Sequence, residues 1–166
     1  EKCLCILINN AGISGATIKP SGSSADELKQ NLFDADASTV DDWTDVYRTN
    51  VAQIYFMTTA FLPLLQKASE HQHGYSGTVL NITSISGLTR KSQGHFQYNA
   101  SKAAAIHLTK MLAAEIAEAG LKIRVNSIAP GVFPSEMTAS ESGENQKSEL
   151  PKDMMESIPA KRPGND

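Results

Sequence analysis

Residues 3–8, Cys-Leu-Cys-Ile-Leu-Ile, are apolar without a break and without alternation, and Asn9-Asn10-Ala11-Gly12 stops them abruptly. A strand with one wet face alternates in polarity, so an unbroken apolar run of this kind reads as a strand buried on both faces, the habit of parallel sheets. The pattern returns twice. Gly77-Thr78-Val79-Leu80-Asn81-Ile82 is short and β-branched and ends in Thr83-Ser84-Ile85-Ser86-Gly87, and a third strand at Lys122–Ile128 is stopped by Pro130-Gly131. Parallel neighbours need long crossovers, and the intervening segments read as helices. Capping residues at Ser38 and Thr39, acids at Asp41 and Asp42, and Trp43, Val46, Val51, Ile54 and Tyr55 at helical spacing predict a helix over 40–69, kinked at Pro63 or split there into two. Residues 98–119 predict a second helix, rich in Ala, Leu, Met, Lys and Glu, with Gly120 as its C-cap. Between first strand and first helix, the Gly- and Ser-rich stretch 13–37 reads as a surface excursion. Beyond Phe133 there is no strand pattern, only a weak helical stretch around Pro151–Ser157. The expected fold class is α/β, a doubly wound parallel sheet with right-handed crossovers.

Composition removes several functions. With 15 Lys and Arg against 18 Asp and Glu the net charge is −3, which gives a polyanion nothing to grip, so no nucleic-acid partner is expected. No apolar run approaches the length of a membrane span, and the opening EKCLCILINN lacks the basic region and long apolar core of a secretion signal; a cytoplasmic protein is the expectation. Cys3 and Cys5 stand two apart on one strand face, which suits packing and not a disulfide. His71, His73, His95 and His107 are too scattered to join them in a metal site, so no metal is expected. Asn81-Ile82-Thr83 and Asn99-Ala100-Ser101 match a glycosylation acceptor, yet fall on a strand end and a core helix and read as accidental. Gly12-Ile13-Ser14-Gly15 runs into polar surface sequence and not into a helix, so it is no phosphate loop.

In open α/β sheets, ligands bind beyond the carboxyl ends of the strands. Three polar turns, 9–12, 83–87 and 129–132, should therefore meet at one crevice. Tyr98 and Lys102 are one helical turn apart at the start of the helix that follows Ser84. A phenol is too weak an acid for proton transfer at neutral pH, and a nearby ammonium corrects this by favouring the phenolate. Ser84 adds a hydroxyl able to bond a reacting oxygen. Alone, a Tyr and a Lys at this spacing are common on any solvated helix.

Together, Asn9-Asn10-Ala11-Gly12 after a strand, Asn50 in the next helix, Asn81-Ile82-Thr83-Ser84, Tyr98-Asn99-Ala100-Ser101-Lys102 and Pro130-Gly131 resemble the short-chain dehydrogenase/reductase family, in the family's order. The resemblance implies a Rossmann-like fold and an NAD(P)-dependent oxidoreductase that interconverts an alcohol and a carbonyl compound. It implies Tyr98 as acid/base, Lys102 lowering its pKa and holding the nicotinamide ribose, Ser84 polarising the carbonyl, and Asn50 holding a relay water. Asn9, Ala11 and Gly12 would line the adenine and ribose side of an NAD or NADP cofactor. Pro130, Gly131, Val132 and Phe133 would wrap the nicotinamide, and Ser135 replaces a commoner Thr that touches the carboxamide or phosphate. A homodimer or homotetramer, paired through the two long helices, is also implied. The stretch PGVFPSEMT is similar to that of 3-oxoacyl carrier reductases and of polyol and gluconate dehydrogenases.

The family's Gly-rich fingerprint, which brings backbone up to the pyrophosphate, is not in this sequence, nor are the strands around it. The expectation is a partial Rossmann-like catalytic domain over 1–166, with a sheet and helix core at 1–132 and a substrate-loop region and tail at 133–166, truncated at both ends and inactive alone. Two other readings stand beside it: an inert SDR-like binding module unable to hold a dinucleotide, and a hydrolase using Ser84 as nucleophile with Lys102 as base.

Overall fold

A computed structural model describes residues 2–71, 73–135 and 162–164. The chain divides into two units, Glu1–Ala129 and Pro130–Asp166. In the first, three parallel strands, β1 (Ile6–Asn9), β2 (Gly77–Ile82) and β3 (Ile123–Ile128), lie side by side in sequence order. Register pairs Leu7 with Val79 and Val79 with Val125, and two residues on it pairs Asn9 with Asn81 and Asn81 with Ser127. Helices α1 (Ala25–Leu32), α2 (Val40–Tyr47) and α3 (Gln53–His71) fill the first crossover and α4 (Phe96–Glu118) the second. The α/β class with a parallel sheet is as expected.

Strands laid down in order by crossovers of one hand place their helices on one face of the sheet. The core reflects this: Ile54 and Leu65 of α3 and Ala105, Leu112 and Ile116 of α4 pack on Val79, Ile123 and Val125. Leu7 joins them from β1. The alternate residues face away, and here the expectation of a strand buried on both faces is corrected: Ile6 is 53% and Ile8 56% exposed, as is half of Ile128. The strand also starts later than its apolar run, at Ile6; Cys3 and Cys5 lie before it, and both are free.

Two helix expectations are corrected as well. The excursion 13–37 contains α1, started by Ser24, whose hydroxyl accepts the Glu27 N–H. The break in the long helix lies not at Pro63, which α3 carries without interruption, but at a π-helical turn, Arg48–Ala52, between α2 and α3. Pro63 is on the exposed side, where water meets the carbonyl its missing N–H leaves free. The wider turn adds a residue and rolls Asn50 inward, to 1% exposure. Helix α4 and its end at Gly120 (φ +74°) follow the sequence closely.

In the second unit the described residues are 130–135 and 162–164. Val132 accepts a backbone bond from Gly164 (3.0 Å), Phe133 is 43% exposed, and Pro130 and Ser135 are half-buried. The weak helix expected at 151–157 lies outside the described residues.

Candidate active site

Two residues past the apolar core, the covered face of the sheet turns polar. Asn9 Nδ2 donates to Asn81 Oδ1 (2.8 Å) and Thr58 Oγ1 (3.2 Å), and Asn81 Nδ2 donates to Thr109 Oγ1 (2.9 Å). This ladder crosses from α3 through two strands to α4 with Asn81 and Thr58 sealed from solvent. Asn9, expected at the cofactor, is thus tied into the sheet end; Ala11 is exposed and Gly12 half-buried.

Asn50 gathers three elements. Its Oδ1 accepts the Ile13 N–H (2.9 Å), while Nδ2 donates to the Ile13 carbonyl (2.9 Å) and to Ser101 Oγ (3.0 Å). Ser101 in turn donates to the Tyr98 carbonyl (2.7 Å). The loop after β1 is therefore bound to the first turns of α4, and its Gly12 comes so close that a Cβ there would sit 3.2 Å from Asn50 Oδ1 and 3.3 Å from Lys102 Nζ. A larger residue would push into that space, so Gly12, Asn50 and Lys102 share one small volume.

Lys102 is 4% exposed, and Nζ donates to the Ile82 carbonyl at the end of β2 (2.9 Å). Burial, which disfavours the charged form, pulls its pKa below the ordinary lysine value. Its ammonium lies 5.6 Å from the centre of the Tyr98 ring. The turn Ile85–Gly87 begins at Ser84, whose Oγ accepts the Ser86 N–H (3.1 Å). That turn lies directly on α4: a Cβ on Gly87 would meet the Lys102 carbonyl carbon and the Ala103 nitrogen at 2.7 Å. Ser84, Tyr98, Lys102, Asn50 and Gly12 are thus brought together from four segments of chain. The nucleophile-and-base pairing of Ser84 with Lys102 is not formed; Lys102 is bonded to Ile82, and Ser84 Oγ caps its own turn.

Several contributors escaped sequence reasoning. Gln97, completely buried, donates from Nε2 to the Ala16 carbonyl (2.6 Å) and Asp42 Oδ2 (2.7 Å), and Asp42 Oδ1 accepts the Ala16 N–H (3.0 Å). Ser101, Thr58 and Thr109 were also unmarked. The signal for Ser101 and Thr109 is helical spacing with Ala105, and that for Thr58 is helical spacing with Ile54; neither distinguishes a polar bridge from a solvated face. Among the described residues no group of His, Cys, Asp and Glu can hold a metal, and no helix is long and apolar enough to cross a membrane.

Residues 2–146 match the short chain dehydrogenase family. The chain is 40% identical over 139 residues to the short-chain dehydrogenase/reductase PhomF' of Diaporthe leptostromiformis, covering 81% of this chain and 45% of that one. It is 35% identical over 136 residues to the rhamnolipids biosynthesis 3-oxoacyl-[acyl-carrier-protein] reductase of Pseudomonas aeruginosa, again covering 81% and 45%. The chain spans about half the length of the curated relatives it matches. In three dimensions it is similar to the Pseudomonas aeruginosa RhlG/NADP active-site complex, with a TM-score of 0.73 and 32% identity over 98% of this chain and 55% of that one. Family match, relatives and structural likeness agree: the chain belongs to the short chain dehydrogenase family.

Proposed function

We propose that the protein of which these residues form part is an NAD(P)-dependent oxidoreductase interconverting an alcohol and a ketone or aldehyde, with Tyr98 as the proton carrier. The observation that carries this is a buried ammonium one helical turn from a phenol, both at the carboxyl end of a parallel sheet. The solved relatives bound to NADP and NADH support the cofactor. So does the chain itself: among the described residues Lys102 uses one of its three N–H groups, on Ile82, and the other two suit the hydroxyls of a ribose. Bound there, the nicotinamide would supply or accept the hydride.

The residues have separable tasks. Tyr98 gives a proton to the carbonyl oxygen in reduction and takes it back in oxidation. Lys102, whose Nζ lies 5.6 Å from the centre of the Tyr98 ring, would hold the ribose with Tyr98. Ser84 directs its hydroxyl proton at the substrate oxygen while its lone pair stays on Ser86. Asn50, filled by Ile13 and Ser101, holds the shape of the site, and its π-helical turn is where a relay water to Lys102 is proposed. Pro130, Gly131, Val132, Phe133 and Ser135 are proposed as cofactor-binding residues on the family resemblance. The substrate class is the carbonyl group of a small molecule, with a 3-oxoacyl thioester as the first to try, given the reductases among the relatives. Exposed Tyr55 (46%) and Phe56 (66%) on α3 and Met111 (51%) on α4 support pairing of these helices with a second copy; light scattering on the full-length protein reads out a dimer or tetramer.

The test is Tyr98→Phe in the full-length protein, assayed with NADPH, NADH and acetoacetyl-coenzyme A. Turnover should vanish while dinucleotide binding, followed by nicotinamide fluorescence, stays. Substantial residual turnover would refute the proton-carrier role.

A further inference from the structure

Helix α4 begins without a cap. His95, at the N-cap position, makes no side-chain bond to the first turn. The leading N–H groups of such a helix have no partner, and an unsupported first turn frays. Yet this is the turn from which Tyr98 projects.

Its sequence neighbours on both sides replace the cap. On one side Gln97 Nε2 donates to the Ala16 carbonyl and to Asp42 Oδ2, at 2.6 and 2.7 Å. Because both partners are acceptors, only the amide nitrogen can face them, which fixes the orientation of the carboxamide. Asp42 closes the grip by accepting the Ala16 N–H, so that one residue is held by both its N–H and its carbonyl. On the other side Asn99 Nδ2 donates to the carbonyls of Lys91 and Ser92, both at 3.1 Å. The two ties run to different segments, the loop after β1 and the loop before α4. Gln97 Oε1 is buried without a partner among the described residues. A carboxamide kept where half of it is unsatisfied points to a specific demand on the other half.

We infer that Gln97, together with Asp42, and Asn99 are positioning residues for Tyr98, clamping the first turn of α4 between two loops so that the phenol is held in place beside Lys102. The inference rests on the reading of Tyr98 as acid/base. It adds residues that never touch the substrate yet govern the proton-transfer step, since a misplacement of about 1 Å can cost on the order of a hundredfold in rate.

The full-length protein carries the test, in two arms. In the first, Gln97→Ala, Asn99→Ala and the isosteric Asp42→Asn are compared with the parent in reduction of acetoacetyl-coenzyme A. An asparagine has one acceptor oxygen where the Asp42 carboxylate offers two, so it cannot keep both Ala16 and Gln97. The expected result is a kcat lower by about 10- to 100-fold for Gln97→Ala, and by less for the other two, with KM for dinucleotide and thioester within about twofold. A merely structural role would lower the melting temperature and leave kcat per folded molecule unchanged. The second arm needs no substrate: hydrogen exchange at the Asn99 amide, which bonds the His95 carbonyl, should quicken in Gln97→Ala while exchange in the second half of α4 stays parent-like. If Gln97→Ala does not fold, Asp42→Asn and the half-buried Asn99→Ala carry both arms. Parent-like kcat together with parent-like exchange would overturn the inference. Tyr98→Phe in the same series keeps the two readings apart: if it still turns over, the acid/base reading fails, and if it is dead while the clamp variants behave as the parent, only the clamp fails.

Discussion

The two halves of α4 bury the same stripe with opposite chemistry. Gln97, Ser101, Ala105, Thr109, Leu112 and Ile116 follow one another at helical spacing against the rest of the molecule. Toward the C-terminus the stripe is aliphatic and packs on Val79, Ile123 and Val125. Toward the N-terminus it is polar, and its side chains reach outward by hydrogen bond: Gln97 to Asp42 and Ala16, Ser101 to Asn50, Lys102 to Ile82, Thr109 to Asn81. The aliphatic half holds by area removed from water and tolerates a small slide. The polar half holds by direction, and a hydrogen bond weakens steeply once its angle is lost. A helix that must stay in place and also present a phenol and an ammonium at fixed positions assigns the two tasks to different ends.

This division can be tested by substitution. Tyr98→Phe, at the polar end, should cost more than about a thousandfold in turnover, or about 4 kcal/mol of transition-state stabilisation, with the midpoint of urea unfolding nearly unmoved. Leu112→Ala, at the aliphatic end, should do the reverse, lowering stability by about 2–4 kcal/mol through the cavity left against the sheet and leaving kcat of the folded protein intact. An equal loss of turnover in the two variants would erase the distinction. Ser101→Ala removes one of the two acceptors of Asn50 Nδ2 and a bond to the Tyr98 carbonyl, and should cost about 1 kcal/mol with a visible fall in kcat. Met111→Ala, beside Leu112 but 51% exposed, should change stability by less than about 0.5 kcal/mol in the isolated chain, and by more where a second copy covers it.

Lys102 adds a dependence on pH. Its pKa in the folded protein is below the 10.5 it has when unfolded. Between those two values the unfolded state binds the extra proton, so stability rises with pH across that window and the cost of the buried charge is present in full beneath it. Lys102→Met should flatten this alkaline rise and gain stability at neutral pH while abolishing turnover. Urea midpoints taken at several pH values measure it, and an unchanged slope would remove burial as the cause.

Much was legible before the structure. Strand runs, turn residues and the Tyr98 to Lys102 spacing are local features, set by the backbone's few allowed conformations and by helical geometry, and they place three strands, the helix of the candidate site and the Tyr98–Lys102 pair on it. Other expectations failed where a local rule met a nonlocal fact. The apolar run at β1 says that Ile6 and Ile8 tolerate burial; whether anything covers them depends on which face the crossovers take, and they are exposed. Pro63 carries the strongest local signal for a break, yet the helix yields at Asn50, because Ile13 and Ser101 wait there to receive the carboxamide.

The polar bridges form the other class. Asp42 is an ordinary first-turn acid by sequence, 55 residues from the Gln97 it binds. Nothing in either neighbourhood encodes the pairing, which exists only once the loop after β1 has been folded onto α4. The amino-acid order by itself determined the main elements and the Tyr98–Lys102 pairing on one helix, since those follow from interactions within a few residues. Only packing decided which buried polar groups meet, because a hydrogen bond is a relation between two places and the chain brings those places together last.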